Sequence, residues 1–124
     1  MDANKVISEI KDIKGTDVET GLEYCASDEQ IYVETVQDFL EDDKGSAVED
    51  AFIKNDINLY HINAHALKNL CYTIGINFLG DKAKELDDAA KVKDFEYIKA
   101  HHEELMVMYR DTTGRLKDIL LKEA

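Results

Sequence analysis

Residues 56–75 have the sequence DINLYHINAHALKNLCYTIG, and this stretch decides the fold. It begins with Asp56, a residue type that caps helix N-termini, and it ends with Gly75, a residue type that terminates helices. A helix turns about 100° per residue, so Leu67 lies about 200° around the axis from His65. The stretch therefore predicts an amphipathic helix that packs its apolar side inward and presents His65 to solvent.

The face of this helix that contains His65 is not an ordinary solvated face. It combines basic, amide and apolar side chains within about 60° of the histidine. Exposed apolar residues around a polar centre are typical of a docking surface. We therefore predict that a partner docks around His65. The residues predicted for this docking surface are His61, Ile62, Asn69, Tyr72 and Ile76.

His65 is the candidate nucleophile on this face. An exposed imidazole is mostly uncharged near neutral pH, and an uncharged ring nitrogen can attack phosphorus. Lys68 lies three residues further on, close enough in a helix to pair with phosphate oxygens. The sequence has no glycine-rich phosphate loop and no Gly-Lys-Ser/Thr motif. We therefore predict a phosphoryl carrier that is not an enzyme and does not take its phosphate from ATP.

The rest of the sequence predicts more helices and no strands. It contains no proline and only six glycines in 124 residues, whereas strand-rich folds need many turns of these residue types. The length suits one domain, residues 1–124. We predict an all-α fold, an antiparallel up-down four-helix bundle at about 28–121 with an additional short N-terminal helix at 4–13. The first predicted bundle helix covers 28–43 and continues after a break, with Ser46 and Glu49 forming a capping box at the start of the continuation. The other predicted bundle helices cover 56–75, about 78–92, and a last segment that begins after its cap, Asp94.

Charge and hydropathy restrict the class of partner. Fifteen basic and 27 acidic residues give a net charge of −12, which repels nucleic acid and anionic membranes, so we expect neither as a partner. No apolar run is long enough to span a membrane, and residues 1–4 lack a basic-then-apolar signal pattern. We therefore expect a cytoplasmic protein, with Cys25 and Cys71 reduced and packed.

The run from His65 to Gly75 resembles the motif of histidine-containing phosphotransfer (HPt) domains of bacterial two-component phosphorelays. That motif is a histidine, any residue, a leucine, a lysine and a small residue, followed by six further residues of which the last is a glycine. Leu67, Lys68 and Gly75 match it here, and Asp56 precedes the histidine by nine residues, as in the family. The resemblance extends over most of the chain, about residues 15–116.

The resemblance implies that His65 is phosphorylated and that Lys68 supports the phosphate. The phosphoryl donors and acceptors would be aspartates on receiver domains of response regulators or hybrid histidine kinases. Those receivers would also hold the Mg²⁺, so we expect no cofactor on this chain, and we expect a monomer. Asn69 and Tyr72 depart from the family, which has smaller residues there, or a basic one in place of Tyr72. We expect both to narrow a receiver's approach, which would slow transfer or change partner choice.

Two other functions are compatible with the residues. A non-phosphorylated adaptor that binds receiver or kinase domains would use the same bundle. A metal-binding bundle would use His61 and His65, one turn apart, with His101 and His102 as further ligands. His61 and His65 are predicted to face solvent, whereas His101 and His102 lie near the apolar stripe of their own helix, so we predict no metal site. We expect His102 to be packed and hydrogen-bonded.

Two acidic clusters, residues 41–43 and 87–88, are candidates for a calcium site. Neither has the alternating spacing of oxygen ligands that a calcium loop requires. We interpret both clusters as solvated turns and helix surface.

Overall fold

The computed structural model describes residues 1–124, and every regular element in it is a helix. No residue lies in a strand, which confirms the predicted all-α class, and no helix has the length and apolarity needed to cross a membrane. The seven helices are α1 (Ala3–Lys11), α2 (Val18–Tyr24), α3 (Glu29–Asp42), α4 (Lys44–Ile53), α5 (Ile57–Thr73), α6 (Asn77–Lys91) and α7 (Phe95–Lys122).

Aspartates set where most of the helices begin. In five helices the residue before the first turn is an aspartate whose carboxylate accepts a hydrogen bond from a backbone N–H three residues on. Such a cap satisfies one of the four N–H groups that have no partner inside the helix. The predicted caps of α5 and α7 are confirmed. The five capping residues are Asp2, Asp17, Asp28, Asp56 and Asp94.

The predicted capping box at Ser46 is wrong. The helix begins two residues earlier, at Lys44, because Asp43 adopts a left-handed conformation (φ 49°) that ends α3 and starts α4. Ser46 lies inside the first turn, and its hydroxyl donates to Oδ2 of Asp43 at 2.7 Å. The hydroxyl of Tyr109 donates to Oδ1 at 2.7 Å, so the break between the helices is tied to α7.

Four of the helices contact one another in a closed ring. α4 packs on α5, α5 on α6 and α6 on α7, and α7 returns to α4. α1 packs against α3 and α7, while α2 lies against α5. Fully buried leucines of three helices fill the centre, and both cysteines are free and buried, as expected. These leucines are Leu67 of α5, Leu79 and Leu86 of α6, and Leu105 and Leu116 of α7.

His102 lies in the core, as predicted, and joins three helices. Its Nδ1 is 2.9 Å from the hydroxyl of Tyr60, its Nε2 is 3.3 Å from Oε2 of Glu49, and its ring stacks on Phe52 at 3.9 Å. Burial lowers the pKa of His102, against the opposing charge of Glu49. The ring is therefore an uncharged structural element that holds α4, α5 and α7 together.

The close packing of α4 on α7 can be tested at Gly45. A Cβ at this position would overlap the buried ring of Tyr109, so Gly45→Ala is expected to lower the free energy of unfolding by about 1–3 kcal/mol. Gly114 in α7 has no atom within 4 Å of its Cβ position, so Gly114→Ala should raise stability by about 0.5–1 kcal/mol. Urea denaturation followed by circular dichroism measures both variants. A stabilised Gly45→Ala variant would contradict the observed packing.

Candidate functional site

The centre of the candidate site is Asp87 of α6, whose side chain is fully buried. Its Oδ1 lies 2.5 Å from Nδ1 of His61, and its Oδ2 lies 2.9 Å from Nδ1 of His65. The ammonium groups of Lys68 and Lys91 lie 3.3 Å and 3.6 Å from Oδ2. One carboxylate therefore links two histidines and a lysine of α5 to α6.

The surrounding groups keep Asp87 ionised. Burial is the largest single influence on the pKa of Asp87 and acts to raise it. Hydrogen bonds from His65, His61 and Lys68, together with the charge of Lys91, outweigh burial and hold the pKa below its usual value. Asp87 is therefore a carboxylate at neutral pH, and a carboxylate can only accept hydrogen bonds.

This carboxylate fixes the hydrogen on both neighbouring rings. Since Asp87 cannot donate, Nδ1 of His61 and Nδ1 of His65 must each bear the hydrogen. In each neutral ring, Nε2 on the opposite side is then unprotonated. The His65 side chain is 46% exposed and that of His61 is 38% exposed. The same carboxylate–imidazole pairing orients nucleophile-activating and metal-binding histidines in other proteins.

Lys68 lies beside both groups, as the helical spacing predicts. Its Nζ is 3.3 Å from Nδ1 of His65 and 3.3 Å from Oδ2 of Asp87. Because that Nδ1 bears a hydrogen of its own, Lys68 donates to the carboxylate. An ammonium group has three donors, so Lys68 has donors left for an anion bound at His65.

Three of the predicted docking residues lie around His65 in different environments. Ile62 is 60% exposed, and Asn69 is also exposed. Tyr72 is half-buried, because its hydroxyl donates to Asp81 at 2.6 Å and its ring lies against Gly80. A Cβ at Gly80 would come within 2.8 Å of that ring, so the glycine lets the tyrosine lie flat on α6.

Ile76 does not belong to the exposed face, and its predicted place in the docking surface is wrong. Its side chain is fully buried. The helical angles that placed Ile76 beside His65 stop applying at Thr73, where α5 ends. Gly75 then takes a positive φ of 80°, and the Ile76 N–H donates to the carbonyl of Cys71 at 2.9 Å. This turn directs Ile76 into the core.

The interpretation of residues 87–88 as solvated surface is also wrong for Asp87. Asp88 is exposed and pairs with Lys84, but Asp87 is the buried acceptor described above. A signal was available in the sequence, since Asp87 follows Leu86 and lies four residues after Ala83. That spacing puts a carboxylate within the apolar stripe of α6, where it requires partners.

The main cavities of the protein lie away from these histidines. The largest, about 660 Å³, is a groove between α6 and α7 that includes Phe78, Val107 and Met108. None of the four main cavities includes His61 or His65. His61 and His65 therefore lie outside these cavities, on partly exposed side chains.

The histidines of α7 do not join the site. His102 is bonded inside the core, and His101 packs on Tyr97 with ring centroids 4.2 Å apart. No group of three or more histidine, cysteine, aspartate and glutamate side chains is arranged to hold a metal ion.

Comparisons with protein-family profiles, with curated proteins and with solved structures found no match.

Asp87→Asn tests the electrostatic role of the carboxylate. At pH 7 it should lower the free energy of unfolding by about 1–3 kcal/mol, because charge-assisted hydrogen bonds are lost. Folding lowers the pKa of Asp87 below its value of about 3.9 in the unfolded chain. The ionised carboxylate therefore stabilises the fold fully above that unfolded value, and this stabilisation is lost as the pH falls through the lower pKa of the folded protein. The difference between wild type and variant should therefore shrink below about pH 4.

Chemical denaturation at a series of pH values measures this difference. The matched control is Asp88→Asn, which removes an exposed charge from the adjacent position and should change stability much less. Equal effects of the two substitutions at pH 7 would contradict the central position of Asp87.

Proposed function

We propose that this protein is a histidine-containing phosphotransfer protein that relays a phosphoryl group between receiver-domain aspartates on Nε2 of His65. One observation supports this most strongly. Nδ1 of His65 is 2.9 Å from the buried carboxylate of Asp87, which leaves the other ring nitrogen free on an exposed side chain. The HPt-like motif from His65 to Gly75 supports the same assignment.

In the proposed reaction, Nε2 of His65 attacks the phosphorus of an aspartyl phosphate on the partner. The N–P bond forms while the acyl P–O bond breaks, and the partner's aspartate leaves as a carboxylate. Positive charge develops on the imidazole, and Asp87 stabilises it through the hydrogen on Nδ1. Lys68 pairs with the phosphoryl oxygens. Transfer to the next receiver is the reverse reaction, so the chain is a carrier and not an enzyme.

The helix packing supports the finer architecture proposed for the chain. We assign the closed ring of α4, α5, α6 and α7, with α3 extending α4, as the antiparallel up-down four-helix bundle of the HPt family. α1 is then the additional short N-terminal helix. In this arrangement α5 and α6 provide both the nucleophile and the carboxylate that orients it.

The proposed partners are receiver domains of response regulators or hybrid histidine kinases. The docking surface centres on His65, with Ile62 as an exposed apolar contact and Asn69 and Tyr72 further along α5. A receiver brings its own catalytic cleft and Mg²⁺, which fits a nucleophile that lies outside every main cavity. These partners imply a cytoplasmic protein, and the net charge of −12 argues against nucleic acid or anionic membranes.

The relay role is tested by incubating the protein with a phosphorylated receiver domain. Wild type should acquire acid-labile phosphate, and His65→Gln should acquire it at least about 100-fold more slowly, because the main nucleophile is gone. His101→Gln, which removes a histidine outside the site, is the matched control and should behave like wild type. Circular dichroism establishes that all three fold alike. Equal rates for wild type and His65→Gln would reject the proposal.

A further inference from the structure

His61 has the same relation to Asp87 as His65 has. Its Nδ1 is 2.5 Å from Oδ1, while Nδ1 of His65 is 2.9 Å from Oδ2, so each oxygen of one carboxylate holds one ring. The side chains are exposed to similar degrees, 38% and 46%. The ring centroids are 5.9 Å apart, about the rise of one helical turn.

The carboxylate pairing and the free ring nitrogen of His65 are therefore present twice, whereas, of the two histidines, Lys68 lies within hydrogen-bond distance of His65 alone. His61 also has a hydrogen fixed on Nδ1, and its Nε2 is neither buried nor hydrogen-bonded within the protein. We propose that His61 is a second phosphoryl acceptor, used as an alternative to His65. This inference rests on the proposed relay function and extends it to a second modification site.

The other two histidines lack these features. Both ring nitrogens of His102 have partners in the core. Nδ1 of His101 is buried without a hydrogen-bond partner, and the nearest carboxylate oxygen, on Glu104, is 3.5 Å away. A hydrogen bond from Nδ1 to a carboxylate, with Nε2 left free, thus distinguishes His61 and His65 from the rest of the histidines.

The chemical step is the same at both rings. Nε2 of His61 attacks phosphorus, the N–P bond forms, and the bond from phosphorus to the leaving group breaks. From an aspartyl phosphate the leaving group is a carboxylate, and from phosphoramidate it is ammonia. The hydrogen on Nδ1 stays shared with Asp87, whose negative charge stabilises the positive ring.

Only one of the two rings is phosphorylated at a time. Two phosphoryl groups, each with nearly two negative charges, would repel strongly on rings 5.9 Å apart. A single carboxylate would also have to stabilise two positive rings. A receiver displaced by one turn along α5 would reach His61 in place of His65, and this second docking register is the slower one because Lys68 lies beside His65.

The test uses the full-length His65→Gln variant and phosphoramidate, a small donor that needs no docking surface. Phosphohistidine is located by mass spectrometry over time. His61 should be phosphorylated at least about tenfold faster than His101 in the same molecule, whose side chain is similarly exposed at 34%. Adding Asp87→Asn should remove this advantage.

Three results would overturn the inference: no phosphate on His61, a rate no higher than that of His101, or an advantage that persists in the Asp87→Asn background. Measuring His61 against His101 in one molecule cancels differences in donor concentration and reaction time, and circular dichroism establishes that each variant is folded. If wild type takes phosphate from a receiver but His61 is not phosphorylated by phosphoramidate, the inference about His61 is rejected and the relay function is not. Wild type that takes none from a receiver rejects the relay function, and with it any signalling role for His61.

Discussion

The ionised carboxylate of Asp87, buried between α5 and α6, is the interaction on which the site depends. A charge buried here without partners would lower the stability of the fold by several kcal/mol, because the protein interior does not replace the hydrogen bonds that water makes to a carboxylate. Two imidazole N–H groups and the ammonium groups of Lys68 and Lys91 provide the compensation. Those partners are also the chemical groups of the site, so the requirement to satisfy one buried charge determines how both histidines are protonated and oriented.

The turn between α5 and α6 sets the register that makes this possible. Gly75 adopts a positive φ, and a Cβ there would overlap the carbonyl oxygen of Asp17. The Asp17 N–H in turn donates to the Gly75 carbonyl at 2.7 Å. At the start of α6, Gly80 lets the ring of Tyr72 lie flat. The Gly75–Asp17 contact fixes the turn against the start of α2, and the Tyr72–Gly80 contact packs α6 on α5 near the turn.

Features that depend on neighbours along one helix could be predicted from the sequence. Asp56 and Asp94 cap their helices by accepting a hydrogen bond from the backbone N–H three residues further on. Lys68 lies beside His65 because residues three apart share a helix face. Features set by another element could not be predicted in the same way. The three partners of Asp87 on α5 lie 19 to 26 residues away in sequence, and nothing local reveals them.

The incorrect predictions have related causes. Ile76 was placed by extending helical angles past the end of α5, where a turn redirects the chain. Ser46 resembled a cap, but the left-handed backbone of Asp43 starts α4 earlier.

The proposed chemistry depends on one protonation pattern, which nuclear magnetic resonance can observe directly. Long-range ¹H–¹⁵N correlation spectra of the imidazoles, recorded above about pH 8 where ordinary histidines are uncharged, identify which ring nitrogen bears the hydrogen. We predict that His61 and His65 both have it on Nδ1 in wild type, and that Asp87→Asn weakens this preference. A spectrum in which the neutral ring of His65 bears its hydrogen on Nε2 would contradict the account, because that nitrogen could then not attack phosphorus.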